Sequence, residues 1–166
     1  PDMHAPTGDL ERLGDALRVA WEVEEITIAL PVLTRLQPAL RKGDWKVTVA
    51  LFQDHNGGPH RVLDIWPGFY DGALYGLAID LGSTTIAANL ADLSDARILA
   101  STGMMNPQIK FGEDLMSRVS YSMMNAGGAA EITAAVRDAL GRLATEIAAE
   151  ADIDPRLIVE ATGVCN

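Results

Sequence analysis

The rhythm of apolar residues changes near residue 72, and this break constrains the fold more than any other feature of the 166-residue chain. Before it, helix-like and strand-like segments alternate. Residues 9–21 carry Leu10, Leu13, Ala16, Leu17 and Ala20 at helical spacing. Thr7 or Asp9 is placed to cap that helix, and Glu11 sits in its first turn, where an acid suits the helix dipole. Residues 25–30 alternate like a strand, and 31–40 read as a short helix that Pro31 opens and Gly43 ends. Residues 45–52 and 61–66 read as strands joined through Asn56-Gly57-Gly58-Pro59, a hairpin. Pro67-Gly68 and Asp71-Gly72 punctuate the end, so residues 1–72 are expected to form a small α/β domain.

After the break three strands come in succession, over 75–80, 85–91 and 96–102. Two helical stretches follow, 112–124 and the Ala-rich 129–151, and Asp154-Pro155 stops the second. A last strand is expected at 157–161, with residues 162–166 as a loop leading onward. A chain that stops just after a core strand reads as a fragment of something larger.

Composition narrows the chemistry. The formal net charge is −10, and both halves are acidic, with seven basic against eleven acidic residues in 1–72 and six against twelve in 73–166. Binding to nucleic-acid phosphates needs clustered Lys and Arg, so neither half is expected to contact nucleic acid. With 48% hydrophobic residues the chain can bury a core. No uncharged apolar run reaches the roughly 20 residues that cross a bilayer, so no membrane role is expected and the expected location is the cytoplasm. The single cysteine, Cys165, cannot hold a four-thiolate iron–sulfur cluster or a cysteine-rich structural zinc.

The stretch that carries chemistry is Ala78-Ile-Asp80-Leu-Gly82-Ser83-Thr84-Thr85. An apolar strand delivers Asp80 to the lip of a turn, and Gly82 allows close approach of a ligand. The amides and hydroxyls of Ser83, Thr84 and Thr85 can donate to phosphate oxygens. Asp80 alone would repel phosphate, but it makes sense as a Mg²⁺ holder, directly or through water. Neither a P-loop nor a Gly-x-Gly-x-x-Gly fingerprint occurs, so phosphate binding must use this hairpin or not occur. Asp, Gly, Ser and Thr are also common in turns for conformational reasons alone, and that bland reading stands beside the functional one.

In context the Asp-Leu-Gly-Ser-Thr-Thr turn resembles the first phosphate-binding hairpin of the superfamily of acetate and sugar kinases, heat-shock chaperone ATPases and actin. Residues 75–161 begin that superfamily's ribonuclease-H-like order. Residues 100–108 (Ala-Ser-Thr-Gly-Met-Met-Asn-Pro-Gln), then Phe111-Gly112-Glu113-Asp114 and Ser117-Arg118-Val119, look like the ATP-dependent reductive activators of corrinoid enzymes. So do Pro6-Thr-Gly-Asp9-Leu-Glu-Arg12-Leu13 and residues 40–48 upstream.

That resemblance implies a small α/β middle domain at 1–72 and the first part of an actin-like ATPase domain at 73–166. It implies a parent protein that couples Mg·ATP to returning a corrinoid partner or methyltransferase from the cob(II) to the cob(I) state. A [2Fe–2S] domain would lie in the parent and outside this chain, and the isolated fragment is expected to be inactive. Carried over residue by residue, Asp80, Gly82, Ser83, Thr84 and Thr85 would form the first phosphate-binding turn, with Asp80 toward Mg²⁺. A sugar or acyl kinase of the same superfamily and a non-enzymatic interaction module are the rival readings. The edge of the unfinished sheet offers pairing to a second copy, so a homodimer is also expected.

Other residues carry weaker expectations. His4, His55 and His60 are expected to be solvated rather than ligating. Cys165 is expected to fill the edge of a core strand, with a reactive thiol as the alternative, and Met104, Met105, Met116, Met123 and Met124 to fill cores, with a greasy partner surface as the alternative. Trp21, Trp45 and Trp66 are expected to anchor the core of the first half, with an exposed docking residue among them as the alternative. Asp114 and Arg118 are expected to pair at i,i+4, while Asn106, Gln108 and Asp114 are candidates to approach a nucleotide cleft or a domain interface.

Overall fold

Both rhythms become structure in a computed structural model that describes residues 6–165, placed in two units, Pro1–Gly72 and Ala73–Asn166. His4 lies outside the described residues.

In the first unit, helix α1 (Asp9–Trp21) lies where its spacing predicts and buries Leu13 and Leu17. Its cap is neither Thr7 nor Asp9. Gly8 takes that position and donates its N–H to Glu11 Oε2 at 3.2 Å, so the acid expected in the first turn satisfies the helix start. Strand β1 (Ile26–Ile28) is followed by α2 (Leu30–Lys42), which buries Val32, Leu36, Ala39 and Leu40. Pro31 sits in the first turn of α2 and Gly43 closes it. Strands β2 (Val47–Phe52) and β3 (His60–Pro67) form the expected antiparallel hairpin, and β1 pairs in parallel with β3 to give the order β1-β3-β2. A bulge sets Ala50 opposite Asp64 but Leu51 opposite Val62.

The tryptophans do not anchor this core. Trp21 is 76% exposed. Asp44 and Trp45 take left-handed backbone conformations (φ 49° and 66°), so Trp45 lies outside β2, and its ring meets the guanidinium of Arg41 at 4.2 Å. Trp66 is half-buried and stacks on Tyr70 at 4.5 Å. Aliphatic residues make the core instead, Leu13, Leu17, Val32, Leu36, Val62 and Ile65 among them.

In the second unit, β4 (Tyr75–Leu81), β5 (Thr85–Asp92) and β6 (Ile98–Met105) form an antiparallel meander. A 3₁₀ turn at Pro107–Phe111, α3 (Leu115–Met124) and α4 (Gly128–Glu150) follow. A second 3₁₀ turn, Pro155–Leu157, leads into β7 (Ile158–Cys165), which returns parallel to β4. The resulting order, β6-β5-β4-β7, is the strand arrangement that the ribonuclease-H-like resemblance implies. Strand β7 runs through residues 162–165, expected above to be a loop, because the Ala78 to Leu81 stretch of β4 continues to pair with them. Asn166 lies outside the described residues.

Alternation decides which face of this sheet is covered. Leu77, Ile86, Ala88, Leu90 and Ala100 pack with Ala139, Leu143 and Ile147 of α4, whose i, i+4, i+8 spacing makes one stripe. Met104 packs against that core. The other methionines do not, since Met105, Met116, Met123 and Met124 are 70–84% exposed. Met105 follows the alternation to the open face, and α3 turns its Met-bearing side outward. Cys165 is likewise exposed rather than a core filler. No helix among the described residues is long and apolar enough to cross a membrane.

Candidate functional site

The β4–β5 hairpin ends in Leu81-Gly82-Ser83-Thr84, and its tip is built from three carbonyls that all point at protein donors. Asn106 Nδ2 donates to Gly82 O at 2.8 Å, Arg118 Nη2 donates to Ser83 O at 2.6 Å, and Asn106 N–H donates to Thr84 O at 2.8 Å. Gly82 N–H closes the turn onto Thr85 O at 2.9 Å. A Cβ on Gly82 would lie 2.9 Å from that same oxygen, so the turn itself demands glycine here.

The two clamping side chains are buried, Asn106 to 1% and Arg118 to 7% exposure. Asn106 also caps the 3₁₀ turn, its Oδ1 accepting from Gln108 N at 2.9 Å, with Pro107 next in line. Gln108 Oε1 accepts from Asn106 Nδ2 at 3.2 Å and from Arg118 Nη1 at 3.4 Å. Arg118 Nε completes the set on Gly112 O at 2.9 Å. No buried side-chain nitrogen or oxygen among the described residues lacks a partner, which is what burial requires.

Arg118 therefore makes no close ion pair with Asp114, and its charge is only the weakest of the causes that lower that carboxyl. Its guanidinium turns to three interior acceptors, and Asp114 is used otherwise: its Oδ1 accepts from Ser117 N at 2.7 Å as the N-cap of α3. That backbone hydrogen bond from Ser117 is the chief reason the Asp114 carboxyl titrates below its ordinary value.

Beside the knot lies an open pocket of about 840 Å³. Gly82 and Ser83 reach it from the hairpin, Asn106 and Gln108 from the 3₁₀ turn, and Asp114 and Arg118 from the start of α3. The three residues expected to approach a cleft, Asn106, Gln108 and Asp114, thus all line this pocket. Asp80, Thr84 and Thr85 are outside that lining. Asp80 is exposed on the open face of the sheet, opposite Ala87 of β5 and Val164 of β7, while Leu77, Ile79 and Leu81 turn toward α4. Thr84 and Thr85 are also exposed.

The tip has a chemical polarity. Its carbonyl oxygens are occupied, whereas among the described residues no group accepts from the N–H of Ser83 or Thr84. Two unpaired amides and two hydroxyls form a donor set that fits phosphate oxygens. One exposed carboxylate fits a Mg²⁺ that keeps most of its waters and bridges to phosphate. No group of three or more His, Cys, Asp or Glu side chains that could hold a metal occurs among the described residues. His55 lies in the exposed hairpin loop and His60 begins β3.

The role of Arg118 escaped sequence reasoning, because a lone Arg in an amphipathic helix carries no sign that it faces inward. Its contact with Ser83 spans 35 residues, a separation that no local pattern encodes.

Comparison with known proteins gives two family matches, one to each unit. Residues 1–72 match the RACo linker region and residues 75–166 match the RACo middle region. The word "middle", given above to the first unit, is attached by these descriptions to the second. The chain is 29% identical over 102 residues to the corrinoid activation enzyme RamQ of Eubacterium limosum, covering 61% of this chain and 17% of that one. A solved structure of a reductive activator for corrinoid, iron–sulfur protein matches 100% of this chain and 26% of its own, at 29% identity and a TM-score of 0.75. The chain spans about a quarter or less of the length of these relatives.

Proposed function

The chain belongs to the RACo family, of which it carries the linker and middle regions, and from that premise we propose that its second unit supplies one wall of a nucleotide site in a reductive activator of corrinoid proteins. The observation that carries this reading is the polarity of the β4–β5 tip: carbonyls held inward by Asn106 and Arg118, and the Ser83 and Thr84 amides left to donate outward. Gly82, Ser83, Thr84 and Thr85 would receive phosphate oxygens, and Asp80 would hold Mg²⁺ through water. Bound Mg·ATP would supply the free energy of phosphate hydrolysis. The residues of this chain orient the phosphates and keep the tip rigid while they do so.

In the complete protein this binding would be coupled to returning a corrinoid partner from the cob(II) to the cob(I) state. The electrons would come from a [2Fe–2S] domain elsewhere in the parent, since one cysteine cannot ligate such a cluster. The second unit would then be the first part of an actin-like ATPase domain. Its three-strand meander and parallel fourth strand support that reading.

The test is Asp80→Ala in the complete protein. Asp80 is exposed and makes no packing contribution to the core, so the far-UV circular dichroism should not change. Mg·ATP hydrolysis is expected to fall to background. Unchanged turnover would overturn the assignment of this hairpin to phosphate.

A further inference from the structure

We infer that Arg118 is a positioning residue for the β4–β5 tip: by holding the Ser83 carbonyl inward it fixes the Ser83 and Thr84 amides in a phosphate-accepting orientation. This rests on the reading of the hairpin as a phosphate-binding turn.

A peptide unit is planar, so turning its carbonyl one way turns the N–H of the next residue the other way. The Ser83 carbonyl belongs to the same peptide plane as the Thr84 N–H, and the Gly82 carbonyl to the same plane as the Ser83 N–H. Arg118 Nη2 holds the first of these carbonyls at 2.6 Å and Asn106 Nδ2 holds the second at 2.8 Å. Both outward amides are therefore set by a buried side chain on the opposite side of the turn. Without those donors the two planes could rotate, because Ser83 and Thr84 lie outside the strand ladders.

The guanidinium suits this task better than other cations. Its planar fork reaches Gly112 O, Gln108 Oε1 and Ser83 O at once, which a lysine ammonium on a flexible stem cannot reproduce. Gly112 leaves the space: a Cβ there would lie 2.6 Å from Ser117 Cβ and 2.8 Å from Arg118 N. The start of α3 and the hairpin tip are thereby one mechanical unit, joined through one buried side chain.

The experiment uses the complete protein with ¹⁵N,¹³C labels, titrated with magnesium pyrophosphate, following the Ser83 and Thr84 amides by NMR. The wild-type chain should shift both amides saturably. Arg118→Lys and Arg118→Met should each raise the apparent Kd at least about tenfold, which corresponds to about 1.4 kcal/mol. The Ser83 carbonyl ¹³C resonance should move in both variants, and the amides of Ala139, Leu143 and Ile147 should stay in place. A purely structural arginine would lower stability without changing Kd in folded Arg118→Lys. Unchanged affinity in that variant, with wild-type binding intact, would overturn the positioning role and leave the hairpin reading standing. If neither amide of the wild-type chain responds, the hairpin reading falls and the positioning role with it.

Discussion

Arg118 Nη2 donates to the Ser83 carbonyl at 2.6 Å, joining the first turns of α3 to a hairpin tip 35 residues earlier. Both ends are fixed in sequence by ordinary means, an Asp-capped helix and a glycine turn, but their contact creates the knot beside the pocket. Arg118→Ala would leave Ser83 O, Gly112 O and Gln108 Oε1 without this donor. Charge-assisted hydrogen bonds from a buried guanidinium to half-buried acceptors put the expected loss at about 2 kcal/mol. Urea unfolding followed by far-UV circular dichroism checks it, and a loss below about 0.5 kcal/mol, the range of ordinary surface substitutions, would mean that the knot is dispensable.

The two units carry separate cores, and the tryptophans report only one of them. Trp21, Trp45 and Trp66 all fall in the first unit, so tryptophan fluorescence follows that unit while circular dichroism follows both. Leu36 is 2% exposed in the first core and Leu143 is 1% exposed in the second. Truncation to Ala at either site is expected to cost about 2–5 kcal/mol in its own unit. Leu36→Ala should shift the fluorescence midpoint. Leu143→Ala should move only the circular-dichroism transition, and a fluorescence shift of equal size would show that the chain unfolds as one cooperative block.

Gly43 closes α2 with φ −89°, a conformation that any residue can adopt. Its reason for being glycine is space, since a Cβ would lie 2.1 Å from Lys46 O and 2.5 Å from Gly68 N. These backbone atoms belong to the tight turn after α2, where Lys46 N–H bonds to Gly43 O, and to the residue that follows β3, whose Gly68 N–H bonds to Lys46 O. Gly43→Ala must displace that turn, and the overpacking cost is expected at about 1–3 kcal/mol or more. The fluorescence-detected midpoint of the first unit measures it. Gly57→Ala is the control: its φ is +80° with nothing within 4 Å, so backbone strain acts there without a clash.

What sequence could supply depended on the range of the interaction. Helix α1 and the β4–β5 hairpin follow from local periodicity and glycine punctuation, and they lie where the pattern places them. The 3₁₀ turn at Pro107–Phe111 was missed because five residues are too few to show a period, although Asn106-Pro107 is a sound start signal. Trp21 and the α3 methionines were assigned to cores from hydrophobicity alone. Their exposure depends on which face of a helix the rest of the unit covers, and that is a tertiary fact. At the candidate site the turn residues were legible. Asn106 was legible as a cleft candidate but not as the donor to Gly82 O, and Arg118 was not legible at all, because a buried polar side chain is recognised by the partners it finds and not by its own neighbours in sequence.

Helix α3 carries two titrating contacts of opposite sign, and together they set a pH window for its local order. The Asp114 carboxyl is held below its ordinary value, chiefly by the hydrogen bond from Ser117 N–H. Its cap therefore contributes fully above the unfolded carboxylate value of about 3.9, and is lost as pH falls through the lower folded value. The Tyr121 hydroxyl is held above its ordinary value, chiefly by donating to Glu131 Oε2 at 2.8 Å. That contact contributes fully below the unfolded tyrosine value of about 10, and is lost as pH rises through the higher folded one. The protection of the Ser117 amide, its exchange rate relative to the intrinsic rate at the same pH, should fall only in acid, below pH ~3.9, and contacts between Tyr121 and the start of α4 should loosen only in strong alkali. Asp114→Asn keeps an acceptor at the cap but removes its titration, so the acid limb at Ser117 should vanish. Tyr121→Phe should abolish the alkaline limb and leave the acid limb as it was. An acid limb that persists in Asp114→Asn would assign the low-pH loosening to another carboxylate in the second unit, and the N-cap would lose its role in it.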